Sequence, residues 1–332
     1  MKTKSFILVA VAVFAALLGG FMYVALSGGG DERRAGALAA QSYATGNYLL
    51  EIGGKNVGAL KSVSGCGVTA ELVGAVGSSK IQTKQAANVR YGPCEITFGH
   101  SMDSPFFAWI NDTLKGNAGP KNVAIVAVDA NQKATTRLEL TGAVIRSFAL
   151  PKLEAGSKDP VEFTVTIDPQ TIQKSAGGGA AVPSISPKAK SLLASNYRLD
   201  APGLTNDLKK VPSVESWSFE VSQPAGTQGV ARQLGGNLVL GNLSLAVSEP
   251  GSEFDAWLDS LTKGNPSEKN VTLELLDPTL KDALMSVSFS GVGLLSGQLL
   301  PAADTGSKAV GSREFTMYVQ GASINFNASP AA

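Results

Sequence analysis

Residues 104–128 and 252–276 carry one pattern twice. SPFFAWINDTLKGNAGPKNVAIVAV in the first stretch aligns without a gap on SEFDAWLDSLTKGNPSEKNVTLELL in the second. Trp109 meets Trp257, Lys115-Gly116-Asn117 meets Lys263-Gly264-Asn265, and Lys121-Asn122-Val123 meets Lys269-Asn270-Val271, with Asp129 then meeting Asp277. Each pair is 148 positions apart, as 257 is from 109. Solenoid and propeller units repeat every ~20–50 residues, so this spacing marks a doubled domain instead. Further matches follow with small drifts: Asn47-Tyr48 with Asn196-Tyr197, Gly142 with Gly291, Gly156-Ser157-Lys158 with Gly306-Ser307-Lys308, and Glu162-Phe163-Thr164 with Glu314-Phe315-Thr316.

The series predicts a first domain over 45–173 and a second over 195–326. A Gly/Ala/Ser/Pro-rich linker over 174–194 separates them, and 327–332 is a short tail. The 37 glycines and many short Val/Ile/Thr runs favour strands and turns. NYLLEIGG, GVTAELVG, CEITFGH, NVAIVAVD and VEFTVTID read as strands in the first copy. SWSFEVSQ, LGNLSLAV, NVTLELLD and REFTMYVQG do so in the second. The doubled Trp segment is the one helix expected in each copy. Ser104 before Pro105 reads as a start, Ser252 with Asp255 as a capping box, and Gly116 and Gly264 as stops. Phe106, Trp109 and Ile110, with Leu114, share one helical face, and Phe254, Trp257 and Leu258 repeat it. These are expected as core anchors. The fold class expected is α+β, mainly β: two tandem small β-barrels, each with one short helix.

Residues 5–27 are uncharged and apolar, preceded by Lys2 and Lys4. A helix of that length spans roughly 34 Å, enough for a bilayer core of about 30 Å. The expectation is a single-pass anchor in the cytoplasmic membrane, followed by a flexible tether over 28–44 and an extracytoplasmic body. Small-residue sites at Ala25-Leu26-Ser27 and Ala37-Leu38-Ala39 keep open the alternative of a secreted protein after signal cleavage. In an oxidising space Cys66 and Cys94 can bridge; the other reading is two buried, unpaired thiols.

Two cysteines and the single His100 do not make a four-ligand metal site, and no Ser-His-Asp or Cys-His set recurs in both copies. Asp103, Asp112, Asp129 and Asp159 are dispersed over caps, turns and loops. No catalytic, cofactor-binding or metal residue is assigned, and an enzyme is not expected. A net charge of +1 with 17% charged residues gives no electrostatic footprint for nucleic acid.

The first copy resembles the tail tube protein family of contractile phages, extending to the inner-tube proteins of type VI secretion and extracellular contractile injection systems. The resemblance runs through NYLLEIGG, Val63-Ser64-Gly65, then Tyr91, Gly92, Ile96, Gly99, Trp109, Ile110 and Gly116. It ends with the long run KNVAIVAVDANQKATTRLELTGAVIRSFALPKLEAGSKDPVEFTVTI. In the second copy it is carried from the Trp helix onward, while Pro202-Gly203-Leu204 and residues 205–235 depart from it. The resemblance implies stacked hexameric rings. Three two-domain chains would then present six barrels as a pseudo-hexamer. The function so implied is a structural, membrane-tethered ring or tube whose partners are its own copies and tube, baseplate or envelope proteins. The alternative is an anchored adaptor that docks a protein or surface polymer.

Overall fold

The computed structural model describes residues 47–76, 82–182, 192–222, 236–300 and 311–326. All of these lie in one compact unit, Ala40–Ala332. The expected anchor over 5–27, the tether over 28–44, Gly306-Ser307-Lys308 and the tail lie outside the described residues, as does linker segment 183–191. No helix among the described residues is long and apolar enough to cross a membrane.

The first half opens with β1 (Asn47–Ile52), β2 (Lys55–Leu60), β3 (Ser62–Gly65), β4 (Val68–Val76), β5 (Gln82–Tyr91) and β6 (Cys94–Phe98). Helix α1 (Ser104–Leu114) follows, then β7 (Lys121–Val128), β8 (Ala134–Leu150), β9 (Leu153–Glu154), β10 (Phe163–Asp168) and β11 (Thr171–Ala176). The second half has β12 (Tyr197–Asp200), a 3-10 turn (Leu208–Lys210), β13 (Ser213–Val214), β14 (Trp217–Ser222), β15 (Asn237–Leu240) and β16 (Leu243–Ser248). Helix α2 (Ser252–Thr262) precedes β17 (Glu268–Leu276), β18 (Ala283–Leu299), β19 (Ser312–Tyr318) and β20 (Gly321–Phe326). Strands dominate, with one α-helix per half, so the mainly-β class with barrel-like sheets is what forms.

Both halves thread their strands in one order. The first sheet runs β1-β7-β8-β10-β6-β3 and the second β12-β17-β18-β19-β16-β13, with β11 on β8 and β20 on β18. β2 adds to β1 at the sheet's end, whereas the second half has the 3-10 turn in the corresponding stretch. Period-two burial drives the pairing: Phe163, Val165 and Ile167 are fully buried while Thr164 and Thr166 are not. Leu243, Leu245 and Val247 repeat that pattern in β16. The hairpin turns share a device as well. Asp129 accepts from the N–H groups of Asn131 and Lys133, and Asp277 from those of Lys281 and Asp282, each carboxylate closing its own turn.

Close packing fixes the correspondence after β8. Gly142 (φ +60°) and Gly291 (φ +58°) each lie so near a glutamine, Gln170 and Gln320, that a Cβ would collide with it. That equates Gln170 with Gln320, and therefore Thr166 with Thr316, two residues from the match of Glu162-Phe163-Thr164 with Glu314-Phe315-Thr316. A slip of two keeps every side chain on its face, so alternation in the sequence cannot detect it. β11 also continues to Ala176, past the Gln173 expected to end the first domain.

Helix starts differ from expectation too. Asp103, not Ser104, is the N-cap of α1, and Gly251 that of α2, neither with a side-chain capping bond. The expected Ser252–Asp255 capping box does not form. A reciprocal clasp from the 3-10 segment replaces it. The buried Asp207 carboxylate accepts from Gly251 N at 2.7 Å and Phe254 N at 3.0 Å. Glu253 in return accepts from Asn206 N at 2.8 Å and Asp207 N at 3.0 Å. Two donors at the helix start are so satisfied by a residue 44 or more positions away, which no local motif could announce.

The backbone N–H of Asp207, then that of Asn206, hold the Glu253 carboxyl below its ordinary pKa of 4.5. A depressed acid contributes stability above its unfolded pKa and loses it as pH falls through the folded value. Glu253→Gln should therefore melt below the parent at neutral pH, with the gap closing as pH drops below 4.5. Thermal melts of both proteins across that range measure it; a gap independent of pH would refute the clasp.

Candidate functional site

The described residues offer little for chemistry. His100 stacks on Phe326 with ring centroids 5.5 Å apart, and no group of three or more His, Cys, Asp or Glu among the described residues could hold a metal. Asp129 is used in its turn, Asp103 starts a helix and Asp159 bonds Ser157. An open groove beside α2 is lined by Ser252, Glu253, Trp257, Ser260, Ser267 and Lys269. Trp257 Nε1 donates to Ser267 O at 2.8 Å and the Lys269 ammonium stands 5.5 Å above its ring, an arrangement that rigidifies the groove wall.

The expected helix anchors fare unequally. Phe106, Trp109, Ile110 and Phe254 are fully buried and Trp257 nearly so, but Leu258 is only partly covered. α1 buries six residues and α2 only two. The reason is a neighbour. β20 of the second half lies along α1: Asn111 donates to Ile324 O and accepts from Ile324 N, and Phe107 stacks on Phe326 at 3.6 Å. Nothing equivalent among the described residues covers α2.

A second contact joins the halves strand to strand. β14 adds antiparallel to the C-terminal part of β8, with Trp217 opposite Leu150, Ser218 opposite Ala149, Phe219 opposite Phe148 and Glu220 opposite Ser147. β13 pairs with β9 beside it. Phe148 stacks on Phe219 at 5.9 Å, and Trp217 meets Phe289 edge-on at 5.0 Å while donating its Nε1–H to Gly241 O. Trp217, Phe219, Phe148 and Leu150 are at most 1% exposed. Ion pairs Arg146–Glu220 and Lys152–Glu215 edge the seam, the latter raising the pKa of Lys152. The second half thus presents a hairpin and a strand to the first half's long strand and helix. It is a head-to-tail contact, in which each half shows a different face.

In the first half the hairpin β4–β5 occupies the place that β14–β15 takes in the second, but it forms a two-stranded sheet by itself. The Cys66–Cys94 disulfide sits at its base, with Cα atoms 4.4 Å apart, tying the start of β4 to β6. Cys94 is wholly buried.

Residues 44–173 match the family model of the T4-like virus tail tube protein gp19. The match covers 130 of the chain's 332 residues, all within the first of the two structural halves. No curated protein matches the chain. Among solved structures, the chain is similar to the sheath-tube complex, in its extended state, of the extracellular contractile injection system PVC. Identity is 17% over 41% of this chain and 95% of that one, with TM-score 0.36. The tube-terminating cap of the anti-feeding prophage is similar at 15% identity over 42% and 99%, TM-score 0.35. Hcp1 from Flavobacterium johnsoniae is similar at 16% identity over 42% and 99%, TM-score 0.25.

Two outcomes follow from the seam and the disulfide. Trp217→Ala removes a fully buried indole at the junction and should cost about 3–5 kcal/mol of stability. Denaturant unfolding followed by circular dichroism should show one transition in the parent, shifted as a whole in the variant. Replacing Cys66 and Cys94 together by Ala should cost about 2–4 kcal/mol. Amide exchange should then rise first in β4 and β5; uniform change across the chain would contradict a local staple.

Proposed function

We propose that the chain is a tandem duplicate of a tail-tube-like domain that assembles into a ring, with no catalytic role. The supporting observation is the shared strand order: apart from β2, the sheet order of the half matched by the tail tube family model is repeated in the half that is not. Two such units in one chain supply two of six ring positions, so three chains complete a pseudo-hexamer. The head-to-tail contact between the halves fits this reading, because a heterologous contact closes into a ring when its rotation allows.

The further elements of the proposal come from the sequence. Residues 5–27 would tether the ring to the cytoplasmic membrane with its body outside, and residues 28–44 would give it reach. Its partners would be its own copies first, and then tube, baseplate or envelope proteins. The alternative, an anchored adaptor that acts as a monomer, makes the opposite prediction about mass.

Light scattering of the full chain in mild detergent should give a protein mass of three chains. Negative-stain images of the same sample should show rings of six lobes. A monomer persisting at high concentration would sink the ring and favour the adaptor.

A further inference from the structure

Six of the eight large hydrophobic residues left exposed among the described residues fall on two surfaces. Val68, Leu72, Val73 and Val89 lie on the β4–β5 hairpin, and Leu295 and Leu299 on the C-terminal part of β18. These two surfaces are the counterparts of the two that meet inside the chain. β14 covers the end of β8, but among the described residues β18 pairs over 294–299 only with β19. Leu150 at the end of β8 is 0% exposed and Leu299 at the end of β18 is 73% exposed. Phe219 on β14 is 1% exposed and Val68 in the matching place on β4 is 54% exposed. Among the described residues helix α2 lacks the covering strand that β20 provides for α1.

We infer that the β4–β5 hairpin of one chain adds to the free edge of β18 in a second copy of this chain. The register follows from the internal contact. Gly92 N donates to Gly67 O as Gly241 N donates to Ser218 O, which sets Gly67 in the place of Ser218. Gly142 and Gly291 align β8 with β18. Transferring the β14–β8 pairs then sets Gly67 opposite Gln298, Val68 opposite Gly297 and Thr69 opposite Ser296 of the second copy. Leu295 replaces Arg146 and Thr69 replaces Glu220, so the ion pair at the internal seam becomes an uncharged pair between chains. An isolated two-stranded hairpin is marginal in water and an open strand edge invites pairing, so the addition satisfies both at once. The Cys66–Cys94 bond holds the hairpin base where Trp217 packing holds it in the second half. The inference rests on the ring reading only for closure at three chains.

Residues directly opposite in an antiparallel pair have Cα atoms roughly 4.5–5.5 Å apart, within disulfide reach. The full chain carrying both Thr69→Cys and Ser296→Cys, oxidised in detergent solution, should give covalent dimers and trimers. Peptide mass spectrometry should locate the link between the two introduced thiols, and neither single variant should form it. Leu299→Glu should weaken self-association at least about tenfold while leaving the melting temperature unchanged, because the side chain is exposed in the single chain. An oligomer by light scattering that forms no such link would overturn this contact and leave the ring standing. Linkage in the Thr69→Cys single variant would overturn it in favour of hairpin-to-hairpin pairing. A chain that stays monomeric, or whose β18 edge is occupied by a different protein, would overturn both readings.

Discussion

The antiparallel pairing of β14 with the end of β8 holds the two halves as one body. It sets Phe219 on Phe148 and buries Trp217 against Phe289, so that the core passes from one half into the other. A linker alone would leave two domains free to move. Here each half completes the other's sheet or helix cover: β14 and β15 extend the first sheet, β9 joins the second, and β20 shields α1. Breaking the seam would expose the rings and leave backbone groups of β8 without partners, so its strength comes from apolar burial and strand bonds acting together.

That seam also explains why two halves with the same strand order look different at their surfaces. β18 and β8 are each 17 residues long, yet β8 is covered at its end and β18 is not. α1 buries Phe107, which stacks on Phe326 of β20, while Leu258 and Leu261 of α2 are only partly covered. The difference lies in who stands next to each half. Among the described residues the halves meet along one seam and leave a hairpin exposed on one side and a strand edge on the other.

Much of the fold was legible in the sequence. The doubled Trp helix, the strand runs and the turn aspartates Asp129 and Asp277 all follow local rules of period and turn chemistry. What was not legible was held by distance or by parity. Asp207 clasps the start of α2 from across the fold, where sequence pattern placed a capping box at Ser252. The match of Phe163 with Phe315 is off by two because a period-two strand looks the same after such a slip. The unpartnered hairpin carried no signal at all, since Val68 and Leu72 read as ordinary strand residues until their exposure is known.

Two like halves rich in strands, each with an apolar helix face, can be read from residue order alone, because they depend on periodicity and on spacing along one chain. How the halves meet is fixed in three dimensions: which strand of one joins which strand of the other, and so which equivalent surfaces remain bare. Strand partners across more than 60 residues are chosen by backbone hydrogen bonding and mutual burial in three dimensions, and neither leaves a local trace in the order of residues.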